Sequence, residues 1–166
     1  MNNYIIKYLA LLPLYVLLQI LVLNEILFSS YINPFLYIIL IISLPLRTPK
    51  WFLLIYAFLL GFLIDLLSAN LGFHSTATVL VAFIKPLISR ITIPYNILAE
   101  SDEITLRKIG TKAFFTFSLF IIITHNSCLF ITSHLHLNIA VSIKIICSST
   151  ITLLLVLITQ LFQKGK

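Results

Sequence analysis

Four histidines, two in-span acids and two cysteines are the residues of this chain with chemistry to offer. His125 and the pair His134-x-His136 supply three imidazoles, enough nitrogen to hold a zinc-like ion. The spacing argues against it. Neither His-x-x-x-His nor Glu-x-x-His occurs, and no carboxylate lies near these histidines in sequence. Interfacial imidazoles hydrogen-bonded to backbone or water fit the pattern better than a metal centre. Asp65 is the one candidate general base within the third apolar stretch, and it has no partner acid in the neighbouring sequence. The Gly-x-Ser-x-Gly elbow, the phosphate-cradling Gly-x-x-x-x-Gly-Lys loop and His-Glu-x-x-His are all absent. Catalysis is therefore not expected, and no cofactor or metal is implied. Cys128 and Cys147 lie in apolar runs without a Cys-x-x-Cys pair and read as small buried or lipid-facing side chains.

The elements that would position these groups are membrane spans. Of 166 residues, 60% are apolar and 10% charged, against about 45–50% and 25% in soluble domains. Residues 1–166 are expected to form a single integral membrane domain, an all-α bundle of about six transmembrane helices. At roughly 20 residues per span, six spans leave room for turns and no second domain. The apolar stretches are Tyr8 to Phe28, Pro34 to Pro45, Trp51 to Leu67, Leu71 to about Ser89, Ala113 to Thr132 and Leu137 to Phe162. The first reads as a retained signal anchor, having no Ala-x-Ala-like cleavage site. The second is short and proline-bounded, so a thinned bilayer or a re-entrant path must be considered. The fourth carries His74, Ser75, Thr76, Thr78 and Lys85-Pro86, and a helix this polar should pack against protein on one side. The hydrophilic stretch at about 94–112 reads as a surface loop with room for a short amphipathic helix. Pro13, Pro34, Gly61 and Pro86 are helix breakers of the kind that open cavities in transporters, yet no inverted repeat accompanies them.

The net charge of +6 would suggest a polyanion partner in a soluble protein. Its distribution says otherwise. Counted over alternate connections, Lys7, Arg47, Lys50, Lys85, Arg90, Arg107, Lys108, Lys112, Lys164 and Lys166 fall on one side, and residues 29–33, 68–70 and 133–137 contain no Lys or Arg. The positive-inside rule then places both termini and the 94–112 loop in the cytoplasm. Glu25, Asp65 and Lys144 lie inside spans at similar depth toward the outer rim. An unpaired ion there costs several kcal/mol unless it snorkels. One expectation is that Lys144 faces Asp65 or Glu25 across the bundle; independent snorkelling is the other.

Particular residues also point to a family. The run from Leu21 to Ile38, with Asn33-Pro34-Phe35-Leu36-Tyr37, resembles the first-to-second-span junction of MreD, the bacterial rod shape-determining membrane protein. The stretch from Gly61 through Asp65, Ser68 and Gly72 to His74 and Ser75 resembles the family's Asp-x-x-Ser-x-x-x-x-Gly-x-x-Ala/Ser element. Pro49-Lys50-Trp51 and Lys85-Pro86 fit as well. The resemblance covers about Leu18 to Phe130, and it departs where His125-Asn126 stands in place of a His-His pair.

The resemblance implies a non-enzymatic scaffold of the cell-elongation machinery in the bacterial cytoplasmic (inner) membrane, acting in rod shape determination and peptidoglycan synthesis. Its implied partners are an MreC-like protein, an MreB-like actin homologue and the RodA and penicillin-binding-protein pair, with lipid around it and no nucleic acid. The family's similarity in shape to the substrate-binding subunits of energy-coupling transporters keeps a vitamin-like small-molecule site as the alternative. Asp65, Ser68, Gly72, His74, Glu25 and Lys144 are the candidates for partner or bundle contacts. Asp65 and Ser68 share a helix face, and Ser68, Asn70 and Gly72 suit a tight outer turn. Turn building and direct partner contact are both open for them.

Overall fold

The computed structural model describes residues 3–24, 32–100 and 103–162. It is all-α among these residues. Helix α1 (Asn3–Leu18) widens into one π-helical turn, Gln19–Leu23; α2 is Ile38–Ser43, α3 Lys50–Leu67, α4 Phe73–Thr92, α5 Tyr95–Glu100, α6 Leu106–Ile109, α7 Thr111–His134 and α8 Ile139–Phe162. Five of these are long and apolar enough to cross a membrane: α1 with its π turn, α3, α4, α7 and α8. The expectation of about six transmembrane helices is thus corrected to five. The Pro34–Pro45 stretch forms only the six-residue α2, whose rise of about 9 Å falls far short of a roughly 30 Å hydrocarbon core.

The short segment is not at the periphery. Helix α3 packs on α4, α4 on α7 and α7 on α8, while α2 touches α1, α4 and α7. Tyr37, Ile38, Ile41, Ile42 and Leu44 have no accessible surface. Helices α1, α4 and α7 therefore enclose α2, and the outward faces of α3 and α4 carry apolar side chains such as Ile55, Phe58, Phe62, Phe83, Leu87 and Ile91. Lipid tails are as apolar as leucine, so apolar burial contributes little inside a bilayer. Packing contacts and satisfied backbone groups must hold α2 instead.

Helices α1 and α3 run parallel. Near their starts Tyr56 Oη donates to the Tyr8 carbonyl at 3.0 Å; at their ends Asn24 Nδ2 donates to Ser68 Oγ at 3.4 Å. The chain between them must return along the bundle, and α2 with its extended flanks makes that return. Phe35 and Leu36 lie level with Gln19, late in α1, whereas the Ser43 carbonyl accepts from Tyr8 Oη near its beginning. The start of α1 and the end of α8 consequently share one end of the bundle with α5 and α6, where Gln160 Oε1 accepts from Leu106 N at 3.3 Å. The 94–112 stretch is anchored there by Ile104 and Ile109, both buried.

Non-helical backbone at membrane depth is tolerated only where protein satisfies its polar groups. Here the unpaired backbone groups at each buried end of α2 find side-chain partners. Asn33 N donates to Ser148 Oγ (3.0 Å) and Phe35 N to Thr152 Oγ1 (3.1 Å), both on α8. Gln19 accepts from Leu36 N (3.0 Å) and donates to the Pro34 carbonyl (2.8 Å). At the other end Lys85 Nζ donates to the carbonyls of Ile41 (2.7 Å) and Leu44 (2.6 Å). A cation at a helix C-terminus meets the orphan carbonyls and the negative end of the helix dipole. Lys85 is 2% exposed, so its place among the loop cations is also corrected: α4 runs through Pro86 to Thr92, and Lys85 is a bundle residue.

Candidate functional site

At the opposite end of the bundle, the α3–α4 hairpin gathers the polar residues. Helix α4 begins after Gly72, which is left-handed (φ 86°) and has no side chain to cap the first amides. An N-cap side chain normally accepts from the second or third helical N–H. Asp65 does this from the neighbouring helix. Its Oδ1 accepts from His74 N at 3.0 Å, and its Oδ2 from Ser75 N at 2.8 Å and Ser75 Oγ at 2.5 Å. The carboxylate is buried and sits where the α4 dipole is positive. Ala69 (φ 52°) and Gly72 turn the chain, the Asp65 carbonyl accepts from Asn70 N at 2.9 Å, and half-buried Ser68 caps α3 while accepting from Asn24. Gly61 permits the close approach of the two helices. A Cβ there would lie 2.5 Å from Ser75 Cα and 2.7 Å from the His74 carbonyl oxygen.

From the same turn a second set of bonds crosses the interior. Tyr37 Oη lies 2.7 Å from His74 Nδ1 and 2.8 Å from His125 Nε2. His125 Nδ1 is 2.9 Å from Asn126 Oδ1, and Asn126 Nδ2 donates to Ser149 Oγ at 2.9 Å. A neutral imidazole donates from one nitrogen and accepts at the other. With the Asn126 amide turned to Ser149, the donors follow one direction: His74 Nδ1–H to Tyr37, Tyr37 O–H to His125, His125 Nδ1–H to Asn126, Asn126 to Ser149. The Phe35 ring packs edge-on against both imidazoles at 5.6 Å. Tyr37, His125 and Asn126 have no accessible surface, and Asp65 and His74 are buried. Such a fully bonded set links α2, α4, α7 and α8 and specifies one packing arrangement.

The expected residues separate accordingly. Asp65, Ser68, Gly72 and His74 meet in the hairpin. Lys144 does not join them: it is half-buried near the start of α8, and Asp65 has its donors from α4. The Asp65–Lys144 pairing is not formed, because the amides of a helix start are already aimed at the carboxylate. Lys144 lies close enough to its helix end to snorkel. Glu25, the other proposed partner, lies outside the described residues. His134 is bonded to Ser133 Oγ at 2.8 Å, about two and a half turns beyond His125, and His136 is exposed. Both His125 nitrogens are engaged, so the three imidazoles do not converge. Among the described residues no group of three His, Cys, Asp or Glu is disposed to hold a metal ion.

Gln19, Ser149 and the α8 pair Ser148 and Thr152 escape a reading of motifs, and Tyr37 enters one without its interior role being visible. The available signal was their polarity: Ser148 and Thr152 are four apart and so stack on one face of an apolar helix. Comparison with known protein families, with curated proteins and with solved structures finds no match.

Proposed function

We propose that the chain is a non-catalytic, MreD-like membrane scaffold of bacterial cell elongation, acting in rod shape determination and peptidoglycan synthesis through contacts of its outer helix faces with an MreC-like partner. The observation that carries this reading is the Asp65 clamp. The motif residues Asp65, Ser68, Gly72 and Ser75, which carry the family resemblance, all serve one α3–α4 hairpin. In this reading the element exists to fix a surface. The interior around Tyr37 is filled by α2, which leaves the lipid-facing helices for recognition of partner spans. The membrane is the bacterial cytoplasmic membrane, the basic end faces the cytoplasm by the positive-inside rule, and MreB-like and RodA–penicillin-binding-protein components are reached through the same assembly.

Depletion in a rod-shaped host, with affinity capture of the tagged full chain, tests this. Rounding of the cells and co-purification of an MreC-like protein are expected. Retained rod shape together with a stoichiometric small molecule in the purified chain would favour the vitamin-like binding subunit instead. Single cysteines at Asn70 and Lys108 should label from the periplasmic and cytoplasmic faces respectively; the reverse labelling overturns the orientation.

A further inference from the structure

At the basic end of the bundle, the chain leaving α2, the last turns of α4 and the short α5 enclose a cleft of about 620 Å³. Cavities of roughly 300–1,000 Å³ accommodate small ligands. Its lining is of two kinds. Pro45, Leu53, Pro86 and Leu98 make an apolar wall, whereas Lys85 and Arg90 contribute cations, Lys85 buried and Arg90 exposed. The Lys85 ammonium has three hydrogens, of which two are given to the Ile41 and Leu44 carbonyls. Arg90 makes no hydrogen bond or ion pair with any described residue. Among the described lining residues none is acidic. The hydroxyl hydrogens of the lining are already committed, since Ser89 Oγ donates to the Pro86 carbonyl (2.9 Å) and Thr48 Oγ1 to the Pro45 carbonyl (2.6 Å).

Arg90, without a partner among the described residues, and Lys85, with one ammonium hydrogen uncommitted, stand beside an apolar wall, and at an end of the bundle that also carries Lys50, Arg107, Lys108 and Lys112 they match the boundary between headgroups and acyl chains. Basic pockets between helices on that side of a membrane select anionic headgroups. We propose that this cleft binds a phosphate-bearing anion, its phosphate held between Lys85 and Arg90 and its apolar portion against Pro86 and Leu98. Arg90 at the mouth supplies the planar, two-pronged donor set that phosphate geometry favours. An anionic phospholipid and a soluble phosphate share this chemistry.

Native mass spectrometry of the purified full chain in detergent distinguishes the sources. Phosphatidylglycerol, phosphatidylcholine and inorganic phosphate are added separately to the wild type and to Arg90→Gln, Lys85→Arg and Lys50→Gln variants. Phosphatidylglycerol should be retained at least fivefold more than phosphatidylcholine. Arg90→Gln should lose that preference while keeping the wild-type thermal midpoint, and Lys50→Gln, which changes an exposed cation outside the cleft, should keep it. Lys85→Arg, which conserves the buried charge, should keep the phosphatidylglycerol preference. Binding of inorganic phosphate with the same dependence on Arg90 would also support the site and assign it to a soluble anion. Equal retention of the two lipids with no phosphate bound, or equal losses in Arg90→Gln and Lys50→Gln, overturns the proposal. None of these readouts depends on the scaffold reading.

Discussion

Asp65 Oδ2 accepts both the backbone amide (2.8 Å) and the hydroxyl (2.5 Å) of Ser75. An acid that sequence position alone would pair with a basic side chain is thus the missing cap of the next helix. Removing it exposes two amides and one hydroxyl in a site with little water.

Asp65→Ala should therefore lower the thermal midpoint of the detergent-solubilised protein, with a loss of about 2 kcal/mol, the upper range for caps and charged hydrogen bonds. Asp65→Asn keeps a carbonyl acceptor and should fall between. Lys144→Met should be close to neutral. A Lys144→Met variant as damaged as Asp65→Ala would mean that the cation, and not the helix start, stabilises the carboxylate.

Lys85→Met should be more severe, because the carbonyls of Ile41 and Leu44 lose their donor while buried among apolar side chains. An orphaned buried polar group costs about 1–3 kcal/mol, and two are created. Membrane abundance, read by immunoblot against Lys50→Met as an exposed control, should drop several-fold.

Gly61→Ala tests helix proximity. The added methyl would collide with the α4 backbone at His74 and Ser75, and backbone cannot rotate aside as a side chain can. Overpacking of this kind costs about 1–3 kcal/mol. Thermal unfolding should show the loss, and the double variant Gly61→Ala, Thr78→Ala should recover little of it, since the backbone contacts remain.

Tyr37→Phe conserves the ring and removes the hydroxyl shared by His74 and His125. The expected outcome is an abundant, folded protein with a midpoint lowered by the equivalent of about 1–3 kcal/mol. A midpoint equal to wild type would mean that the two imidazoles find other partners without it.

Much of this architecture is legible in the sequence. The long apolar runs ending at Leu67, Thr132 and Phe162 become long helices because nothing but intrahelical bonding can satisfy their backbone in lipid. Gly72 and Ser68 are visible as a turn for equally local reasons. Pro34 to Pro45 was misleading because a run of isoleucines between two prolines has the same composition whether lipid or protein surrounds it. Only tertiary contacts from Gln19, Lys85, Ser148 and Thr152 decide that. Lys85 falls among the cytoplasmic-side cations in a count of charge, because sequence position does not show that its ammonium turns inward to the α2 carbonyls. The Tyr37 hydroxyl is hidden more deeply, since its partners, His74 and His125, come from two other elements and share no spacing with it.

The amides of Asn33 and Phe35 find their acceptors on α8, at Ser148 and Thr152. During synthesis those hydroxyls emerge more than a hundred residues later, so the early part of the chain must wait, sheltered by water or by the insertion machinery, until α8 arrives. A protein shortened before Ser148 would be unable to lodge its own centre and should be a substrate for quality-control proteolysis, which makes α8 the latch of biogenesis.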